Sequence, residues 1–126
     1  MTLITARLRK FLPEHARTIM EIDFSKLFTL LKRTRPKIAI SVIKTWLGAW
    51  TTSDRMSEHD RHCCLVGCSG AMDTWSHYIA CNELWDIAYS SPSPSCPLHR
   101  LALFSTYPDH FLPIAVAFEL YNKVKH

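Results

Sequence analysis

The stretch CLVGCSGAMDTWSHYIAC, residues 64–81, determines how the middle of this chain folds. It contains cysteine and histidine in the spacing C-x3-C-x8-H-x3-C, at Cys64, Cys68, His77 and Cys81. Three thiolates and one imidazole form the ligand set of a closed structural zinc site, in which four protein ligands surround the ion. The spacing therefore predicts a zinc-knuckle-like Cys3His site that binds Zn²⁺.

Each half of this stretch has a local reason to bring its two ligands together. Gly67 lies between the first two cysteines, where a positive φ would turn both thiols toward one point. His77 and Cys81 are four residues apart, so on a single helix they share one face. Asp73 precedes this predicted helix, and we expect it to cap the N-terminus.

Other interpretations of the cluster stay open at this point. Cysteines are often simply buried, and two of these thiols can also pair as a disulfide. Cys63 competes with Cys64 for the first ligand position. His59 and His62 are alternative imidazole ligands, ranked below His77.

The residues around the cluster resemble the C-terminal region of reverse-transcriptase-like proteins encoded by non-LTR retrotransposons. The segment WTTSDRM, residues 50–56, precedes the cluster, and Leu84 and Trp85 follow the last cysteine. The resemblance extends from Pro36 to the C-terminus and is specific between Trp46 and Trp85. It implies zinc-assisted nucleic-acid handling by the tail of a polymerase polyprotein, with the remainder of that polyprotein as a partner. It does not imply polymerase chemistry in this chain.

The charge of the chain is unevenly distributed. The net charge is +4, but residues 1–50 contain ten Lys or Arg against three acids, which gives that half a net charge of +7. Five of these cations lie in a thirteen-residue span without an acid: Lys32, Arg33, Arg35, Lys37 and Lys44. We call these five residues the basic segment. They predict contacts with the phosphates of RNA or single-stranded DNA, whereas the alternative is a solvated surface.

Apolar periodicity predicts an all-α fold. Apolar residues recur at helical spacing near the N-terminus, after the predicted cap Asp23, from Pro36 to about Trp50, and from about Asp109 to Lys125. Residues 1–35 form a basic helical segment and residues 36–126 the zinc-binding region, which together make one compact domain. Three of the four tryptophans lie at apolar helix positions, so packing in the core is expected rather than stacking on bases: Trp46, Trp50, Trp75 and Trp85.

Several classes of function find no support in the sequence. The acids are scattered singly, so no carboxylate pair of the kind that holds two catalytic metal ions is evident. The chain has three glycines and no glycine-rich phosphate loop. We therefore predict no catalytic residues, no organic cofactor and no enzymatic activity.

The predicted location is intracellular, either cytoplasmic or nuclear. No secretory signal is evident, and the five cysteines are an odd number, which favours metal binding over disulfides in a reducing compartment. No apolar run approaches the length needed to span a membrane. The sequence thus predicts a zinc-binding, nucleic-acid-binding segment, with a zinc-stabilised helical scaffold for protein–protein interaction as the alternative.

Overall fold

The computed structural model describes residues 2–52, 55–56, 58, 64–68 and 70–126. Within these ranges the regular elements are helical and no strand is present, so the predicted all-α fold is confirmed. Short 3-10 helices, Pro13–His15 and Pro108–Phe111, precede the second and the last α-helix. The α-helices are, in chain order, α1 (Leu3–Phe11), α2 (Ala16–Met20), α3 (Phe24–Leu31), α4 (Pro36–Trp46), α5 (Trp75–Ala80), α6 (Asn82–Tyr89), α7 (Pro97–Arg100) and α8 (Leu112–Lys125).

Local sequence accounts for where several helices begin. The Asp23 carboxylate accepts a hydrogen bond from the backbone N–H of Lys26 at 3.3 Å, so this predicted N-cap of α3 is confirmed. Pro36 occupies the first turn of α4. Backbone N–H groups in a first turn have no partner within the helix, so the missing N–H of proline costs no hydrogen bond there. Pro113 lies in the first turn of α8 for the same reason, and the residues just before it form a 3-10 helix instead of the predicted α-helical turn.

Helix α4 ends four residues earlier than the sequence predicted. It stops at Trp46, and Gly48 then takes a φ of +66°, a conformation that L side chains rarely adopt. A Cβ at Gly48 would lie 2.6 Å from the Phe11 ring. The close approach of α1 thus requires a glycine here, and the chain leaves the helix before it reaches Trp50.

Aromatic rings fill the centre of the core. The Trp50 ring stacks on Tyr121 of α8, with 4.9 Å between centroids, and lies 4.8 Å from Trp75 and 5.8 Å from Tyr78 of α5. Its indole N–H donates to the Thr45 hydroxyl at 3.0 Å, which satisfies the buried polar atom. The rings therefore join α8 to the helix that carries the predicted histidine ligand.

All four tryptophans are buried, as predicted. The same core contains Ile4 and Leu8 from residues 1–35 and Trp85 and Tyr121 from residues 36–126. Residues of both predicted segments thus share one hydrophobic core.

Candidate metal centre

The first arm of the candidate centre is the loop of residues 64–68. Gly67 takes the predicted positive φ, +99°, and its N–H donates to the Cys64 carbonyl at 3.2 Å. The N–H of Leu65 donates to the Tyr78 hydroxyl at 3.1 Å, which holds the loop against α5. A tight turn thus brings Cys64 and Cys68 onto the same side of the loop as the helix.

The second arm differs from the prediction in two details. The N-cap of α5 is Thr74, whose hydroxyl accepts from the N–H of His77 at 3.2 Å, so the prediction that Asp73 caps this helix was wrong. Cys81 does not continue the helix of His77, because it lies at the junction between α5 and α6 with φ −75° and ψ 102°. The two ligands converge through this break rather than through one shared helix face.

The buried Arg100 guanidinium contacts the backbone at this junction. It donates to the carbonyl of Ile79 at 3.2 Å and to the side chain of Asn82, on either side of Cys81. It also donates to the Pro94 carbonyl at 2.7 Å, in the Pro- and Ser-rich loop that follows α6. Satisfying these carbonyls stabilises the bend that places Cys81.

The four predicted ligand residues lie together. One ligand atom from each of Cys64, Cys68, His77 and Cys81 lies within 4.8 Å of all the others. The Sγ atoms of Cys68 and Cys81 are 3.5 Å apart. Two thiolates on one tetrahedral zinc ion, each with a bond of about 2.3 Å, are separated by about 3.8 Å. The donor set and its spacing therefore fit a metal ion with sulfur and nitrogen ligands.

The histidine supplies an independent indication. Its Nε2 atom is buried and has no hydrogen-bond partner among the described residues. A buried ring nitrogen without a partner is energetically unfavourable unless something satisfies it. A metal ion beside the three thiols would do so.

The pKa values of the thiols reflect crowding and burial. A hydrogen bond to Glu83 and burial raise the pKa of Cys68, and burial raises that of Cys81. The pKa of Cys64 is lowered instead: burial opposes ionisation, but the backbone N–H groups of Cys68 and Val66 outweigh it. A divalent cation would favour the thiolate at all three positions.

Glu83 is a neighbour of the centre that the sequence analysis missed. Its exposed carboxylate lies 3.2 Å from the Cys68 Sγ and 3.9 Å from the Cys81 Sγ. The only sequence signal is its position two residues after Cys81, in the first turn of α6. It brings a negative charge close to two thiols that a metal ion would ionise.

Asp73 has a larger role than the predicted cap. Its fully buried carboxylate accepts hydrogen bonds from the hydroxyls of Tyr78 at 2.6 Å and Tyr121 at 2.9 Å, and pairs with the Lys125 ammonium at 3.0 Å. Lys125 also pairs with Glu58 at 3.1 Å. Asp73 thus links the loop before α5 to the end of α8, over a separation that no sequence motif indicates.

The basic segment lies on the surface. All five side chains are exposed, with Lys32 at the end of α3, Arg33 and Arg35 in the turn, and Lys37 and Lys44 on α4. Lys37 lies 4.0 Å from the Glu119 carboxylate, an exposed pair that contributes little to stability. The positive charge of this surface therefore remains accessible.

The alternative ligands Cys63, His59 and His62 lie outside the described residues, as do Ser53 and Asp54 of the WTTSDRM segment.

Comparison with protein-family models, with curated proteins and with solved structures found no match to this chain. The resemblance to retrotransposon reverse-transcriptase-like proteins thus stays a prediction from the sequence motif. None of the described helices is long and apolar enough to cross a membrane.

Proposed function

We propose that the Cys3His site binds one Zn²⁺ as a structural ion, and that the basic segment of the same chain binds single-stranded nucleic acid. The observation that carries the proposal is the convergence of the four ligand atoms within 4.8 Å, beside a buried His77 Nε2 without a partner. The residues Cys64, Cys68, His77 and Cys81 would hold the ion.

Zinc suits this donor set better than other common ions. Three thiolates and one imidazole are soft or borderline ligands, which disfavour magnesium and calcium. With a divalent ion, three thiolates leave the site with a net charge of −1, and four protein ligands leave no open position for a substrate. We therefore assign the site a structural role and no catalytic one.

The proposed effect of the ion is to fix the loop of residues 64–68 to α5 and to the α5–α6 junction. Within that loop only Cys64 is a buried core residue, whereas Leu65, Val66 and Cys68 pack against the core but remain partly exposed, so the ion supplies folding free energy beyond that of local packing. Removing the metal should therefore destabilise this region first.

Native mass spectrometry and circular dichroism test this part of the proposal. We expect the purified chain to contain about one zinc ion, and a chelator to lower both its helicity and its thermal stability. A protein of apo mass whose helicity does not change on chelation would overturn it.

Surface charge supports the nucleic-acid part of the proposal. The basic segment offers five exposed cations, and long Arg and Lys side chains near the turn before Pro36 can reach successive phosphates. Backbone contacts carry little sequence information, so binding should be indifferent to sequence. Because the four tryptophans are buried, phosphate contacts and not tryptophan stacking account for this binding.

Two triple variants, each of which removes three positive charges, test whether the basic segment binds nucleic acid. We expect Arg33→Ala, Arg35→Ala and Lys37→Ala together to weaken binding of a labelled single strand and to reduce the log–log salt slope by about 2. The control replaces three exposed cations elsewhere, Arg7, Arg17 and Lys26, with alanine. Fluorescence anisotropy over a range of salt concentrations measures both. Equal losses in the two triple variants would remove the basic segment from the mechanism.

The parent protein is part of the same proposal. A zinc-stabilised helical module with a basic surface suits the tail of a reverse-transcriptase-like polyprotein, where it would hold RNA or single-stranded DNA near the polymerase. The WTTSDRM segment and the cysteine–histidine spacing support this origin. The polymerase chemistry would belong to the remainder of that polyprotein.

A protein-binding scaffold is the second candidate function. It is favoured by an open apolar groove between α4 and α8, which neither the metal centre nor phosphate binding explains.

A further inference from the structure

A groove of about 580 Å³ runs between α4 and α8. Its apolar side chains include Ile40 of α4 and Leu112, Val116 and Phe118 of α8. Ile40 and Leu112 are each 53% exposed and Val116 is 38% exposed. Apolar side chains of this size, gathered in one concave surface, are typical of an interaction site.

The rim of this groove is positively charged. Lys37 and Lys44 both border it from α4, and they lie seven residues apart, so they share a helix face two turns long. The Lys44 ammonium is 5.8 Å from the centre of the Phe118 ring, which holds it over the apolar floor. Glu119 is the acid among the lining residues, and it lies within 4.0 Å of Lys37 and 3.6 Å of Lys123. Cations thus outnumber acids around the apolar floor.

We infer that this groove binds an amphipathic α-helix of another protein, whose apolar stripe is flanked by acidic residues. The apolar floor would bury the stripe, and Lys37 and Lys44 would pair with the flanking carboxylates. This inference rests on the proposed scaffold function and names a partner for it. Zinc binding does not depend on this inference.

Groove geometry favours a helix as the occupant. The segment from Leu112 to Glu119 covers about 10 Å, or two helical turns. A partner helix presents apolar residues at i, i+3 or i+4, and i+7 over this length. The groove walls are two helices, whose backbone groups are already paired, so neither wall offers an edge to an added strand.

The lining residues disfavour nucleic-acid bases in the same groove. The Ser41 hydroxyl already donates to the Lys37 carbonyl at 2.9 Å, so its proton is not available to a base. The floor itself is hydrocarbon and the Phe118 ring. Burial of an apolar stripe therefore fits this surface better than base recognition does.

Fluorescence anisotropy with a defined peptide tests the inference. The probe is a labelled helical peptide of about 18 residues with leucines in a stripe and glutamates on both flanks. We expect Ile40→Ser to weaken binding about tenfold, because an isoleucine side chain would no longer be buried. Ile87→Ser is the matched control: Ile87 is also 53% exposed but lies on α6, outside the groove. It should leave binding unchanged.

Each remaining outcome decides for or against the acidic helix. A peptide variant with lysine in place of glutamate should bind at least about tenfold more weakly, and equal binding would overturn the proposed partner. A labelled single strand whose affinity falls in Ile40→Ser but not in Ile87→Ser would assign the groove to nucleic acid instead. A dimer that Ile40→Ser converts to a monomer, seen by analytical ultracentrifugation, would assign it to a second copy of this chain.

The zinc content of each variant separates this inference from the metal proposal. Ile40→Ser should keep the zinc stoichiometry and helicity of the unmodified protein, since the side chain is largely exposed. Loss of peptide binding with zinc retained supports the groove. If the unmodified protein is purified without zinc and still binds the acidic peptide, only the metal proposal would be overturned.

Discussion

The Tyr121 hydroxyl on α8 donates a hydrogen bond of 2.9 Å to the Asp73 carboxylate, in the loop that leads into the helix of the candidate ligand His77. The same Asp73 oxygen accepts from Tyr78, whose hydroxyl in turn accepts from the N–H of Leu65. One buried carboxylate thus connects the C-terminal helix to both arms of the candidate metal centre.

Replacing Asp73 with asparagine should destabilise the fold by about 3 kcal/mol, because the nearly buried Lys125 ammonium loses a buried counter-charge 3.0 Å away. Urea denaturation measures the change. The control is Asp109→Asn, at an exposed position before α8, which should cost under about 0.5 kcal/mol. Similar losses for both variants would contradict a special role for Asp73.

Stability should fall in alkaline solution. Burial and the hydrogen bond to Asp73 raise the pKa values of Tyr78 and Tyr121, and the hydrogen bonds to Asp73 and Glu58 raise that of Lys125 despite its burial. A group with a raised pKa in the folded state stabilises it fully below its unfolded pKa, which is about 10 for Tyr and Lys. This stabilisation is lost as the pH rises toward the folded value.

Urea denaturation from about pH 8 to about pH 11 measures this dependence. Tyr121→Phe should make the decline above about pH 10 shallower, since one titrating group is removed. An unchanged slope in this variant would show that Tyr121 does not contribute.

The cysteines should differ in their importance for the metal. Cys68→Ser and Cys81→Ser should each lose zinc and lower the thermal midpoint, because a missing ligand forfeits part of the folding free energy. Cys96→Ser should have little effect on either, since Cys96 lies before α7 and outside the cluster. Equal shifts in all three variants would contradict the assignment.

The first ligand position has its own test. Cys64→Ser should abolish stoichiometric zinc binding, whereas Cys63→Ser should retain it, because the Cys64 Sγ lies within 4.8 Å of the other candidate ligand atoms. Native mass spectrometry reads out both. If Cys63→Ser loses zinc and Cys64→Ser keeps it, the first ligand is Cys63 and not Cys64.

Glu83→Gln should strengthen zinc binding severalfold. The Glu83 carboxylate lies 3.2 Å from the Cys68 sulfur, and its negative charge opposes the thiolate that the metal requires. Competition with a chromophoric chelator measures the affinity. Asp86→Asn, the same charge change three residues later on α6, is the control and should have a smaller effect. Weaker binding in Glu83→Gln would instead identify Glu83 as a ligand.

The parts of the fold that follow from neighbouring residues could be predicted. Asp23 caps α3 because its side chain reaches a backbone N–H three residues away, and Gly67 turns the cysteine loop because it tolerates positive φ. The errors arose where a distant contact decides a local feature. The Asp73 carboxylate, predicted to cap α5, instead contacts Tyr121 and Lys125 of α8, which are 48 and 52 residues away in sequence.

The sequence by itself determined the four candidate ligands and the exposed basic segment, since both are patterns within eighteen residues and depend on spacing and charge alone. Only the tertiary structure decided the partners of Asp73 and the groove between α4 and α8. Tyr121 and Lys125 are 48 and 52 residues from Asp73, and Ile40 and Val116 come from α4 and α8, which are far apart in the sequence. Such pairs form only when the core packs. Polar groups that become buried together must then hydrogen-bond to one another, and apolar faces that no other element covers remain exposed.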